Sequence, residues 1–193
     1  MIVINKFLFA LLSLVFTVMT AATSAEAEGN NYVIFKPGVY LPQLGKTTDF
    51  KTGLNFKVAF GQLFSPVVAT ELEIGIFQAK YAPPHNEKTK IIFDIFPLTW
   101  SFKKLVAFKN GEYYGLGGFG VFYIRERESV AGNGISRDRE TDLGFHAGLG
   151  LHYNITPSLF LGVEGRYVFF KERPFEKYNM DGVIATAFIG FRF

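Results

Sequence analysis

The stretch Gly182-Val183-Ile184-Ala185-Thr186-Ala187-Phe188-Ile189-Gly190-Phe191-Arg192-Phe193 alternates strictly. Its odd positions carry Val, Ala, Ala, Ile, Phe and Phe, and its even positions carry Gly, Ile, Thr, Phe, Gly and Arg. A period of two is the signature of a β-strand with two unlike faces. Here one face is wholly apolar and ends on an aromatic pair, Phe191 and Phe193, while the other carries an arginine.

The same alternation recurs upstream. Phe50, Thr52, Leu54, Phe56, Val58 and Phe60 oppose Lys51, Gly53, Asn55, Lys57 and Ala59. Leu72, Ile74 and Ile76 oppose Glu71, Glu73 and Gly75, and Leu159, Leu161, Val163, Tyr167 and Phe169 oppose Glu164 and Arg166. Turn residues divide the chain into eight such segments: 31–41, 50–60, 67–80, 90–102, 112–125, 140–153, 159–170 and 182–193. Strands of about 9–11 residues tilted by about 45° cross a bilayer. Apolar outside and polar inside is the sense of a lipid-embedded barrel. The fold expected is therefore all-β, a transmembrane eight-stranded antiparallel up-and-down β-barrel.

The N-terminal end fits a secreted chain. Lys6 precedes an apolar run from Phe7 to Met19, followed by Ala25-Glu26-Ala27. A short positive segment, a short apolar core and a small-x-small site mark a signal peptide, expected at 1–27 and cut before Glu28. The run is too short for a spanning helix. The barrel domain is then 28–193. The chain has no cysteine, so disulfides and thiolate metal sites are excluded. A net charge of +3 with acids and bases interspersed gives no basic stripe, and no nucleic-acid partner is expected.

With an even strand number both termini lie in the periplasm. The compact connections 61–66, 103–111 and 154–158 become periplasmic turns, and the polar ones at 42–49, 81–89, 126–139 and 171–181 become extracellular loops. Two aromatic girdles follow. Phe60, Phe64, Trp100, Phe102, Tyr153 and Phe193 form the lower one; Tyr40, Phe50, Tyr81, Phe93, Phe122 and Phe169 form the upper.

The third extracellular loop offers a register. A turn at Gly132-Asn133 sets Arg125 against Glu140, Glu126 against Arg139, Arg127 against Asp138 and Glu128 against Arg137. Opposite charges across strands are favourable by about 0.2–1 kcal/mol each. Carried downward, this register puts Phe122, Gly120 and Leu116 toward lipid, and Phe119, Val121 and Tyr123 inward.

Inward charges then form a lumen network: Lys36, Lys51, Lys57, Arg166 and Arg192 against Glu71, Glu73, Asp142 and Glu164. Eight-stranded barrels are just wide enough to be filled by side chains, so a balanced set reads as a plug. If Asp94 faces inward on the fourth strand, Ile92, Phe96 and Trp100 join Phe119, Val121 and Tyr123 as an apolar patch. That patch is either packing or a pocket for a small hydrophobic ligand.

Catalytic and cofactor motifs are weak. Gly115-x-Gly117-x-x-Gly120 lacks the strand-turn-helix setting of a dinucleotide fingerprint. The sequon Asn154-Ile155-Thr156 falls in an expected periplasmic turn. His146 and His152 lie about 20 Å apart on one strand and cannot share a metal. In the hairpin register above no serine stands level with His146, which disfavours a lipid-modifying enzyme. No catalytic, metal or cofactor residue is expected.

Several runs carry a resemblance: Phe96-Pro97-Leu98-Thr99-Trp100-Ser101-Phe102-Lys103, Tyr113-Tyr114-Gly115-Leu116-Gly117-Gly118-Phe119-Gly120, Thr156-Pro157-Ser158-Leu159-Phe160-Leu161-Gly162-Val163-Glu164 and the terminal strand. Together they resemble the small outer-membrane barrels of the OmpW, OmpX and OmpA transmembrane type. The terminal aromatic strand, with Phe191 and Phe193, resembles the signal those barrels present to the barrel-assembly machinery. The resemblance implies a Gram-negative outer membrane, a monomer and contact with membrane lipid and lipopolysaccharide. It also implies either passage of small hydrophobic compounds or surface adhesion through the loops.

Overall fold

The computed structural model describes residues 30–42, 50–81, 89–130, 133–136, 138–171 and 180–193. Among these, regular structure is entirely β-strand: β1 (Asn31–Pro42), β2 (Phe50–Lys51), β3 (Gly53–Ser65), β4 (Val68–Tyr81), β5 (Thr89–Phe108), β6 (Gly111–Val130), β7 (Asn133–Ser136), β8 (Arg139–Asn154), β9 (Leu159–Phe170) and β10 (Gly182–Arg192). β2 and β3 are two parts of one stave, and β7 is a short return strand paired to the top of β6. Eight staves remain. Neighbours pair antiparallel around the circle, closed by β1 on β10 and by β4 on β5. Closure matters because an open sheet edge in hydrocarbon would leave unpaired backbone groups at several kcal/mol each.

Most expected strands lie within a residue or two of their segments. The second runs on to Ser65, through most of the expected turn, and the fourth and fifth are longer still, since β5 and β6 run twenty residues each. The expected faces hold on β3, β4, β9 and β10. Lys57, Glu71, Glu73, Glu164, Arg166 and Thr186 are buried, while Leu54, Phe56, Leu72, Leu161 and Val183 are exposed on the outer wall.

The β6–β8 register differs from the charge-ladder expectation by one residue. Arg125 opposes Arg139, Phe122 opposes Asp142, Val121 opposes Leu143 and Phe119 opposes Phe145. At the top, Glu128 opposes Ser136, and the Glu126 amide donates to the Asp138 carbonyl at 3.0 Å. Gly132 and Arg137, members of the expected turn and ladder, lie outside the described residues. One step of register exchanges the two faces of a strand. Phe119 and Val121 therefore stand on the outer wall, and Phe122 and Leu116 are buried. Membrane energetics decide it. The adopted register keeps Glu112, on the same face of β6 as Phe122, in the lumen beside Arg192. It also keeps Lys103 inward, because Lys103 of β5 stands opposite the buried Leu116. The alternative would turn both charges toward lipid, where a lysine costs up to about 2–4 kcal/mol at the midplane and a carboxylate somewhat less. The surface ion pairs it would gain are worth about 0–1 kcal/mol each.

β5 turns with β6. Thr99, Ser101 and Lys103 face inward and are buried, while Leu98, Trp100 and Phe102 are exposed outside. The expected apolar lumen patch of Ile92, Phe96, Trp100, Phe119, Val121 and Tyr123 is thus on the outer wall. An apolar lumen layer does exist, made by the opposite faces of the same strands. Ile91, Phe93, Ile95, Phe122 and Ile124 pack with Tyr40, Phe77, Met180 and Ile184 across the upper barrel. Tyr40, Phe93 and Phe122, expected in the upper girdle, belong to this layer instead. The lower girdle residues Phe60, Phe64, Trp100, Phe102 and Tyr153 are exposed on the wall.

Trp100 is the only tryptophan, and 45% of its surface is exposed on the outer wall. In bilayers containing brominated phospholipid its fluorescence should fall several-fold, while aqueous iodide should quench it weakly. Strong iodide quenching with no effect of brominated lipid would contradict the register.

Candidate functional site

The inner faces stack in layers, which β4 and β9 show. On β4, Ala69 lies in the lower apolar layer, Glu71 and Glu73 in a charged middle, and Phe77 and Ala79 in the upper apolar layer. On β9 the same order is Phe160, then Glu164 and Arg166, then Val168. The middle layer is the candidate site.

Three carboxylates organise it. Glu71 takes Lys36 Nζ at 2.8 Å, the ammonium of Lys103 and the Tyr32 hydroxyl at 3.1 Å. Glu164 takes Lys36 at 3.2 Å, Lys103 at 3.7 Å, the Tyr114 hydroxyl at 3.0 Å and the Arg166 guanidinium, whose Nε is 2.9 Å away. Glu73 takes the other arm of Arg166 at 2.7 Å, Lys36 at 3.5 Å and the Ser101 hydroxyl at 3.2 Å. These contacts tie β1, β4, β5, β6 and β9 together. Buried charges left unpaired are expensive, and pairing of this density is what lets the set stay in a lumen.

Of the residues expected in this network, Lys36, Glu71, Glu73, Glu164 and Arg166 meet directly. Lys57 is buried beside them, but its ammonium has no carboxylate within 4.0 Å among the described residues. Asp142 is buried higher up and accepts the Leu143 amide at 2.7 Å. Arg192 sits at the lower mouth, 3.2 Å from Glu112 and 3.2 Å from His152. Lys51 does not enter the lumen. It stands opposite Lys80 of β4, and both are exposed. The β3–β4 pairs (Asn55 with Phe77) and the β2–β4 pairs (Lys51 with Lys80) differ by one residue in register. That irregularity at Thr52 turns Lys51 outward, as a bulge does.

Two members of the site escape the sequence reading. Lys103 falls in an expected turn, whereas β5 continues to Phe108. Ser101 has no partner in the charge-ladder register, yet its Oγ lies 2.8 Å from His146 Nε2. Gly118 opposes both residues and makes the contact possible, since a Cβ there would lie 2.8 Å from His146 Nε2. The run of glycines in β6 is the signal that could have found it. Ser101 and His146 are buried, Glu73 accepts from the serine, and His146 Nδ1 has no hydrogen-bond partner among the described residues. The pair therefore lacks the third group that orients a base in a nucleophilic triad.

Between Glu71, Lys103, Glu112, Tyr114, His152 and Arg192 lies a cavity of about 10 Å³, room for roughly one water. Among the described residues the lumen is filled by side chains.

A family model described as "Outer membrane protein beta-barrel domain" matches residues 8–193. The chain belongs to that family. Solved structures of similar fold include a major outer membrane protein from Thermus thermophilus, at 11% identity and TM-score 0.64, covering 85% of this chain and 98% of that one. Another is the outer membrane protein OprG from Pseudomonas aeruginosa, at 15% identity and TM-score 0.63, covering 85% and 96%. The attachment invasion locus protein Ail of Yersinia pestis aligns at 15% identity and TM-score 0.57, covering 86% and 100%. At these identities the likeness is one of fold. No curated protein matches the sequence.

Replacing Arg166 with methionine should destabilise the barrel by about 3–5 kcal/mol, because Glu73 and Glu164 lose a buried partner. A triple change of Arg166, Glu73 and Glu164 to apolar residues should cost less than the summed single changes. Additive costs in urea unfolding from bilayers would contradict a coupled network.

Proposed function

We propose that this outer-membrane barrel is a non-enzymatic surface-interaction protein, acting through the ribbon that β5, β6 and β7 raise above the membrane. Strand length is the observation that carries this reading. Crossing needs about 9–11 residues, and β5 and β6 have twenty each. Lumen passage is disfavoured by the packed interior, closed above by the Phe77, Phe93 and Phe122 layer and tied below it by ion pairs. The residues that suggest a hydrophobic-ligand pocket face the outer wall, so passage of small apolar compounds loses its motivating site. The enzyme reading fares no better, since the Ser101–His146 pair is buried within that packed interior.

The part of the ribbon beyond Arg125, formed by the top of β6 and by β7, can be removed with β5 left in place. Arg125 and Arg139 are directly opposed, so an Asn-Gly turn joining them suits a two-residue hairpin. The shortened protein should remain a heat-modifiable, membrane-inserted barrel and should lose binding of whole cells to the surface or matrix they adhere to. Unchanged adhesion would overturn the proposal. The wild-type barrel should also give no steady porin-like current in planar bilayers, and such a current would contradict the sealed lumen.

A further inference from the structure

The hairpin register sorts charge by face. On the outer wall of β6 and β8 stand Arg125, Arg127 and Arg139, while Glu126 and Glu140 alternate onto the other face. One rung runs Gln78, Asp94, Arg125, Arg139 across four strands. Asp94, the only acid of that rung, is already committed. Its carboxylate takes Gln78 Nε2 at 2.8 Å and the Arg127 guanidinium at 2.7 Å. Arg125 leans instead over the Phe96 ring at 5.6 Å, and its Nε is buried with no hydrogen-bond partner among the described residues. Neither Arg125 nor Arg139 has a carboxylate within 4.0 Å among the described residues.

Like charges directly opposed across a ladder are destabilising. The lumen charges hold this register, so the two arginines stay opposed and their repulsion is left to be offset from outside the barrel. An anion lying between the two guanidiniums converts repulsion into shared attraction, and phosphate is the anion whose geometry suits the planar arginine fork.

The height of the pair says where such an anion comes from. Tyr113 is exposed on the outer wall near the lower turn, and Arg125 stands twelve residues further along the same face. At about 3.3 Å per residue and about 45° tilt that is roughly 28 Å along the membrane normal. An outer-membrane barrel carries an apolar band of about 25 Å. Arg125 and Arg139 therefore clear the hydrocarbon and meet the headgroup layer, directly above the Phe96–Tyr123 ring pair. We propose that Arg125 and Arg139 form a site for a phosphate group of an outer-leaflet glycolipid, with the aromatic rings below resting on its acyl chains.

The test uses the full barrel in phospholipid nanodiscs, probed by native mass spectrometry with bisphosphorylated lipid A and with its dephosphorylated form. The wild type should retain the phosphorylated lipid at least about tenfold better than the dephosphorylated one, as two charge-assisted phosphate contacts allow. The double variant R125Q/R139Q, checked for heat-modifiable migration, should lose that preference. The control K104Q, which changes an exposed lysine nearer the lower turn, should keep it. Equal retention of both lipids by the wild type, or an undiminished preference in R125Q/R139Q, would overturn the site. If inorganic phosphate instead raises the thermal stability of the wild type but not of R125Q/R139Q, and lipid A shows no phosphate preference, the pair serves a soluble ion and the lipid assignment falls.

Discussion

Every residue of this barrel must choose between hydrocarbon and lumen, and charged side chains are not free to choose. That single constraint orders the molecule. Glu71, Glu73, Glu164, Arg166, Lys36 and Lys103 go inward because the other direction is lipid, and once inside they must pair. Their pairing fixes which residue of each strand points at the axis. Strand faces then fix the ladder registers, and the registers fix what reaches the rim.

This explains what can be read from sequence. On β3, β4, β9 and β10 a charge or a glycine alternates with Leu, Ile or Phe, so face assignment needs no partner strand. On β5 and β6 both faces carry aromatic or small residues, and the acid Asp94 of β5 stands on the outer face, so alternation misleads. Thr99, Ser101, Lys103 and Glu112 mark the inner face. Lys103 falls in an expected turn, and Ser101 and Glu112 stand at the very ends of their expected segments, where they are easily passed over. The conspicuous charges of 125–140 point to the wrong register because they are exposed and individually weak, while the lumen charges outweigh them. The Ser101–His146 contact and the outward Lys51 are illegible for related reasons. The first depends on a register, the second on a local irregularity at Thr52 that no alternation can foretell.

The layering of the interior also accounts for its dense packing among the described residues. Apolar shells above and below the ionic middle leave little room for water around it, which strengthens the ion pairs and raises the cost of separating them. A wider or polar-walled lumen would allow the same charges to be hydrated singly and to line a pore. Here the same residue types lock a rod. The rim and the outer wall are the surfaces that this lattice leaves free.

The first and last strands are neighbours, with Tyr32 opposite Arg192 and Lys36 bound to Glu164 from 128 positions away. Such contacts reward the chain only after almost all of it is present. Until β10 docks, the growing sheet has two bare edges and half an ionic lattice, a state prone to pair with other chains. Ring closure therefore competes with aggregation, and closing the ring requires the first and last strands to meet.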